Sequence, residues 1–108
     1  MKQTDFGVQM TSFFTMYLPT RRDLSDNTIS SYRDTFKLLL SFSESEKNIP
    51  ADKLQLKDFT ESFVSDFINW LSDSRGNSAA TQKQRLAAIH VFVNYLKTRV
   101  PDYLLEYQ

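Results

Sequence analysis

The sequence lacks the residues on which several classes of small protein depend. Its 108 residues include no cysteine, two glycines, three prolines and a single histidine. Without cysteine the chain can have neither a disulfide framework nor a thiolate zinc site. His90 has no second histidine or spaced carboxylate pair with which to bind a metal. The scarcity of glycine and proline leaves long uninterrupted segments, which favour helices.

Membrane segments and common catalytic patterns are also missing. No apolar run approaches the roughly 18 residues of a membrane span, and the N-terminus has no signal-peptide pattern. We therefore expect a soluble cytoplasmic protein without a membrane partner. The sequence has no glycine-rich phosphate loop, no serine in a nucleophile elbow and no carboxylate pair placed for acid–base work. It predicts no enzyme activity and no cofactor.

The composition that remains is that of one folded domain. Apolar residues make up 41% of the chain and include nine phenylalanines, which is enough to bury one modest core. We predict a single domain over residues 1–108. Thirteen basic and thirteen acidic residues give a net charge of zero, but segment 75–100 contains no acidic residue and segment 58–73 no basic one. This separation predicts one positive side that can meet phosphate.

Apolar periodicity predicts four helices joined by short connectors, and therefore a compact all-α four-helix bundle. The first covers residues 4–18, with Thr4 or Asp5 as its cap and an end set by Pro19. The second begins within the capping cluster 25–28 and frays near residues 43–46. The third covers residues 60–74 and stops at Gly76, and the fourth is capped by Ser78. The segment 54–56 alternates as a short extended stretch does, and residues 103–105 are expected to form a final turn.

The fourth helix, residues 78–98, has two different faces. It is roughly 30 Å long at 1.5 Å per residue. Its apolar stripe consists of Leu86, Ile89, Val93 and Leu96, with Phe92 beside them. The opposite side carries Lys83, Ala87, His90 and Asn94 in one line, with Lys97 at its edge. This outer line is basic and able to form hydrogen bonds, as a surface for a polyanion must be.

The second helix repeats the arrangement. Its predicted buried stripe consists of Ile29, Tyr32, Phe36, Leu39 and Leu40. Ser30, Arg33 and Lys37 line the reverse side. Two helices therefore present basic outer lines, whereas the outer face of the third is acidic and is expected to face solvent.

Three segments in this order carry a resemblance to a known family: LSDNTISSYRDTFKLLLSF, LQLKDFTESFVSDFINWLSD and SAATQKQRLAAIHVFVNYL. Their order and spacing over residues 4–100 resemble the N-terminal core-binding (SAM-like) domain of tyrosine recombinases, the phage-integrase-like proteins. The matching positions are Ser25, Asn27, Thr28, Tyr32, Leu56, Phe59, Trp70, Leu71, Arg85, Ala88, Phe92, Tyr95 and Leu96.

The resemblance implies a DNA-binding domain of a prokaryotic site-specific recombinase that acts in DNA integration or recombination. In such proteins a C-terminal catalytic domain carries an Arg, Lys, His-x-x-Arg, His/Trp and Tyr set. That set is absent here, so we expect a fragment that is not itself an enzyme. The implied partners are double-stranded DNA, the protein's own catalytic domain and neighbouring recombinase protomers, which the first helix contacts.

The resemblance also implies that the second and fourth helices approach the major groove. The candidate DNA-binding residues are Asn27, Thr28, Ser30, Ser31, Arg33 and Lys37 on the second helix, and Ser78, Thr81, Lys83, Arg85, His90 and Asn94 on the fourth.

Several of these candidates have a structural alternative. Asn27 and Thr28 can each be a helix cap, a phosphate contact or both. Arg85 can lie along the apolar stripe with only its head in water. His90 and Asn94 can be ordinary solvated surface. Two other functions also fit the sequence: a helical protein–protein interaction module that docks through its aromatic first helix, and a standalone DNA-binding regulator without recombinase activity.

Overall fold

The computed structural model of the protein describes residues 3–76 and 78–99. Across these residues it contains four α-helices and no β-strand, which confirms the predicted all-α fold. The helices are α1 (Asp5–Ser12), α2 (Asp26–Lys47), α3 (Glu61–Arg75) and α4 (Ala79–Arg99). The chain divides into two compact units, Met1–Gln55 with α1 and α2, and Leu56–Gln108 with α3 and α4. The turn predicted at 103–105 lies outside the described residues.

Each of these four helices begins after a hydroxyl side chain that accepts a hydrogen bond from a backbone N–H three residues later. The pairs are Thr4 with Gly7 (3.0 Å), Ser25 with Thr28 (3.1 Å), Thr60 with Phe63 (3.1 Å) and Ser78 with Thr81 (3.2 Å). Such caps satisfy N–H groups that have no partner within the helix. The predicted cap at Ser78 is confirmed, and among the candidates at 25–28 the cap of α2 is Ser25.

The first helix differs from the prediction after its second turn. The predicted helix over residues 4–18 is α-helical only as far as Ser12, and continues as a π-helical turn, Phe13–Tyr17, and a 3₁₀ turn, Leu18–Thr20. Pro19 lies inside this last turn instead of ending the helix before it. Phe13 is fully buried, and its ring centroid lies 6.2 Å from that of Phe36 on α2.

The second helix does not fray near residues 43–46, contrary to the prediction, but continues to Lys47. Its end is stabilised by Ser43, whose buried hydroxyl donates to the carbonyl of Ile49 at 2.9 Å. The N–H of Ile49 returns a hydrogen bond to the Ser43 carbonyl at 3.0 Å. Between them Asn48 adopts the left-handed conformation, φ 57°, that commonly ends helices.

In the second unit, α3 and α4 share an aromatic core. Phe59, Phe67 and Phe92 are fully or almost fully buried, and the ring centroids of Phe59 and Phe92 lie 5.8 Å apart. Within the segment 54–56, predicted as extended, Leu54 has an extended backbone, but Leu56 begins the 3₁₀ turn Leu56–Asp58. Another 3₁₀ turn, Ala51–Lys53, precedes the segment. The buried side of α4 therefore packs against aromatic rings of the second unit, including that of Phe59.

Gly76 ends α3 in the left-handed conformation, φ 63°, as the sequence predicted. A side chain there meets no neighbouring atom within 4 Å, so the effect of substitution comes from the backbone alone. We expect Gly76→Ala to lower the free energy of unfolding by about 1 kcal/mol. Gly7→Ala, inside α1, is the control and is expected to raise it by about 0.5 kcal/mol. Urea denaturation of both variants measures the difference, and equal effects would contradict the backbone argument.

Candidate nucleic-acid interface

The outer line of α4 lies at the surface as the sequence predicted. Lys83, Ala87, His90, Asn94 and Lys97 are all exposed. Within residues 3–76 and 78–99, no ion pair involves Lys83, His90 or Lys97. This side of α4 therefore offers two lysines and a histidine that form no ion pair with the described residues.

The opposite side of α4 confirms most of the predicted apolar stripe. Ile89, Phe92, Val93 and Leu96 are buried, whereas Leu86 is only half-buried. Ala88 and Tyr95, which the predicted stripe omitted, are also buried. The buried surface of α4 is therefore wider than one stripe, and the outer line is correspondingly narrow.

The beginning of α4 holds three more of the candidate residues. Ser78 is exposed, while Thr81 and Arg85 are half-buried. The Ser78 hydroxyl donates to the Thr81 hydroxyl at 3.1 Å while accepting from the Thr81 N–H. Both hydroxyls therefore have a structural role in starting the helix.

On α2 the predicted outer line is also exposed. Asn27, Ser30, Arg33 and Lys37 lie at the surface, and no ion pair of the described residues involves Arg33 or Lys37. Because α2 carries this line in one unit and α4 its own line in the other, each unit presents one basic helix face.

The other candidates near the start of α2 are less accessible. Thr28 and Ser31 are half-buried, as is Tyr32. The Thr28 hydroxyl shares a 3.0 Å hydrogen bond with that of Ser25, and the Ser31 carbonyl accepts from the Thr35 hydroxyl at 3.0 Å. Thr28 is thus a partner of the cap and not the cap itself.

Arg33 and Lys37 also line a cavity of about 280 Å³ in the first unit. Its other lining residues are mostly apolar: Met10, Thr11, Phe14, Thr15, Phe36 and Leu40. Both basic residues are nevertheless exposed, as long basic side chains commonly are when their aliphatic parts lie along apolar surface. Two positive charges therefore lie beside one apolar cavity of the first unit.

A second cavity, of about 600 Å³, lies between α3 and α4. Its α4 side includes His90, Asn94 and Lys97, and its α3 side includes Glu61 and Ser65. The sequence predicted that the acidic face of α3 faces solvent and is turned away from DNA. Glu61 is exposed, as predicted, but it also lines this cavity beside α4, a position that the sequence did not predict. Helical periodicity places Glu61 on the polar side of α3 but does not say which helix lies next to it.

One basic residue of the connector between α1 and α2 is neutralised. The Arg21 guanidinium donates to both carboxylate oxygens of Asp23, at 2.9 and 2.8 Å, and to the Tyr17 hydroxyl at 2.8 Å. Hydrogen bonding to Arg21 lowers the pKa of the Asp23 carboxyl below its ordinary value. Any stability from this exposed pair is present above that ordinary pKa and is lost as the pH falls through the lowered one. Arg21 is therefore a weaker candidate for phosphate than Arg33.

The described residues contain neither a cluster of metal ligands nor a membrane-spanning helix. In residues 3–76 and 78–99 no three histidine, cysteine, aspartate or glutamate side chains are grouped as metal ligands. No helix in that part of the chain is both long and apolar enough to cross a membrane.

Comparison with known proteins gives two concordant results and one negative one. Residues 12–99 match the family described as phage integrase, N-terminal SAM-like domain. Two proteins of Sinorhizobium fredii (strain NBRC 101917 / NGR234), provisionally named integrase/recombinase y4rC and y4rD, are 33% and 29% identical to the chain over 107 and 90 residues. These alignments cover 99% and 83% of the chain but 32% of each relative. No solved structure matches.

The match covers α2, α3 and α4 entirely and begins at the last residue of α1. It includes every helix that carries a candidate residue. The chain spans about a third of the length of the two relatives. On these grounds the chain belongs to the phage integrase family, as its N-terminal SAM-like domain.

Proposed function

We propose that this domain binds double-stranded DNA through the outer lines of α2 and α4 and positions the catalytic domain of a site-specific recombinase on its target. The observation that supports it best is the exposure of Arg33, Lys37 and Lys83, each free of ion pairs within the described residues, on the two helices that the sequence singled out. Cations of this kind neutralise phosphates and release counterions, which is the main source of affinity for duplex DNA.

The candidate residues divide by the kind of contact that they suit. Arg33, Lys37, Lys83 and Arg85 suit phosphates, and so do the hydroxyls and N–H groups near the helix starts, from Thr28, Ser30, Ser31, Ser78 and Thr81, with the amide of Asn27. His90 and Asn94 lie further along α4 and suit base edges in the major groove. Phosphate contacts fix orientation and base contacts supply specificity.

We assign residues 1–108 to one DNA-binding domain without catalytic activity of its own. The two relatives carry the name integrase/recombinase and are about three times as long as this chain, which supports a catalytic domain elsewhere in the full protein. That catalytic domain, the DNA and neighbouring recombinase protomers are the partners that we propose, and no cofactor is needed for the binding itself.

Salt dependence tests the proposal. If Arg33, Lys37, Lys83 and Arg85 each neutralise one phosphate, raising salt from about 50 to about 200 mM should weaken binding roughly 100-fold. Fluorescence anisotropy of a labelled duplex, titrated with the protein at several salt concentrations, measures the slope. Affinity that does not change with salt would contradict phosphate binding.

A protein-docking function is supported by one feature of the first unit. Val8 and Met16 are large apolar residues that are 47% and 68% exposed. Apolar docking is driven by the removal of surface from water and responds weakly to salt. The same titration, performed with a candidate protein partner in place of DNA, therefore separates the two functions.

A further inference from the structure

The cavity between α3 and α4 contains a carboxylate that phosphate binding does not explain. Glu61 is exposed, is the first residue of α3, and lines the same cavity as His90, Asn94 and Lys97 on the outer line of α4. It is the one acidic side chain among the residues that line this cavity. The floor, formed by Val64, Ile89 and Val93, is buried and apolar.

A carboxylate beside a DNA-binding line has a definite energetic effect. Like charges repel, so Glu61 disfavours any binding mode that brings a phosphate into this cavity. Glu61 favours, by contrast, a binding mode that brings the amino group of a base into this cavity, since a carboxylate accepts a hydrogen bond from cytosine N4 in the major groove. Asn94, on the facing helix, suits adenine, to which it can donate and accept at the same time.

We propose that Glu61 determines sequence specificity by accepting a hydrogen bond from a cytosine amino group while excluding phosphate from the α3–α4 cavity. This inference rests on the proposed function, because it requires that the outer line of α4 meets the major groove. It adds a residue of α3 to a DNA-reading surface that the sequence assigned to the second and fourth helices alone. Lys97 holds a positive charge on the other side of the cavity and draws the duplex toward it.

The test compares the unchanged chain with Glu61→Gln and Asp73→Asn in selections from a randomised duplex library at low salt. Glu61→Gln keeps the size of the side chain and removes its charge. Asp73→Asn removes the same charge from an exposed position of α3 that does not line the cavity, so it controls for net charge. Circular dichroism confirms that each variant keeps its helices.

We expect the unchanged chain to select a cytosine at one position by about 10-fold over other bases. Glu61→Gln should select cytosine several-fold less strongly, because its uncharged amide oxygen is a weaker acceptor and its NH₂ group adds a donor that suits adenine. It should also bind the unselected library several-fold more tightly, whereas Asp73→Asn should select as the unchanged chain does. If the unchanged chain binds but selects no cytosine, or if Glu61→Gln selects cytosine as strongly as before, the assignment of Glu61 is wrong and the proposed function stands. If the unchanged chain binds no duplex at low salt, the proposed function itself is wrong.

Discussion

Replacing Arg33 and Lys83 together by glutamate is expected to abolish binding to duplex DNA and to leave the helical circular-dichroism spectrum unchanged. Both side chains are exposed on the outer lines of α2 and α4 and form no ion pair with the described residues. Each reversal removes a phosphate contact and sets a carboxylate against the polyanion. We expect the dissociation constant to rise at least about 100-fold at low salt, as measured by fluorescence anisotropy.

The matched control is the double reversal Lys53→Glu with Lys57→Glu. Both lysines are exposed, and each unit contains one of them. Their replacement changes the net charge by the same amount as the first double variant does, but neither lysine belongs to the outer line of α2 or α4. A loss of only a few-fold is expected, because neither lysine belongs to a line proposed to contact phosphate and only the long-range effect of net charge changes. If both double variants lose binding equally, net charge controls affinity and the chosen faces are wrong. If Arg33→Glu with Lys83→Glu still binds, another surface meets the DNA.

The sequence was sufficient to identify the outer lines because exposure along an amphipathic helix follows its period. Lys83, His90 and Asn94 recur on one side of α4, and apolar residues dominate the other side. When the apolar side is buried in the core, the polar side must face solvent. The same logic placed Arg33 and Lys37 at the surface of α2. Caps were equally predictable, since a hydroxyl before an apolar-periodic run has a local partner three residues away.

What the sequence missed depends on contacts between elements or on subtle backbone geometry. The π-helical turn at Phe13–Tyr17 has the same apolar pattern as an ordinary helix, and nothing in the residue spacing distinguishes them. The end of α2 was placed too early because Ser43 looked like a fraying residue, whereas it bonds to Ile49 beyond the helix. The position of Glu61 beside α4 depends on how α3 and α4 pack together. The periodicity of a single helix gives no information about that packing.

The largest expected effect on stability comes from Phe92→Ala. Phe92 is fully buried, its ring lies 5.8 Å from that of Phe59 and 6.4 Å from that of Tyr95, and it packs on the side of α4 opposite the outer line. Truncating a buried phenylalanine costs about 3–5 kcal/mol, through lost burial and the cavity left behind. Since a small domain has only about 5–15 kcal/mol of stability in total, we expect the urea midpoint to fall sharply.

Met16→Ala is the control for this substitution, because Met16 is as apolar as a core residue but 68% exposed. It should change the free energy of unfolding by less than about 0.5 kcal/mol. DNA affinity should follow the folded population of Phe92→Ala, since its outer-line residues are untouched, and should recover where a stabilising osmolyte refolds it. A Phe92→Ala protein that is fully folded yet does not bind would show that Phe92 acts on the interface by positioning α4, and not through stability alone.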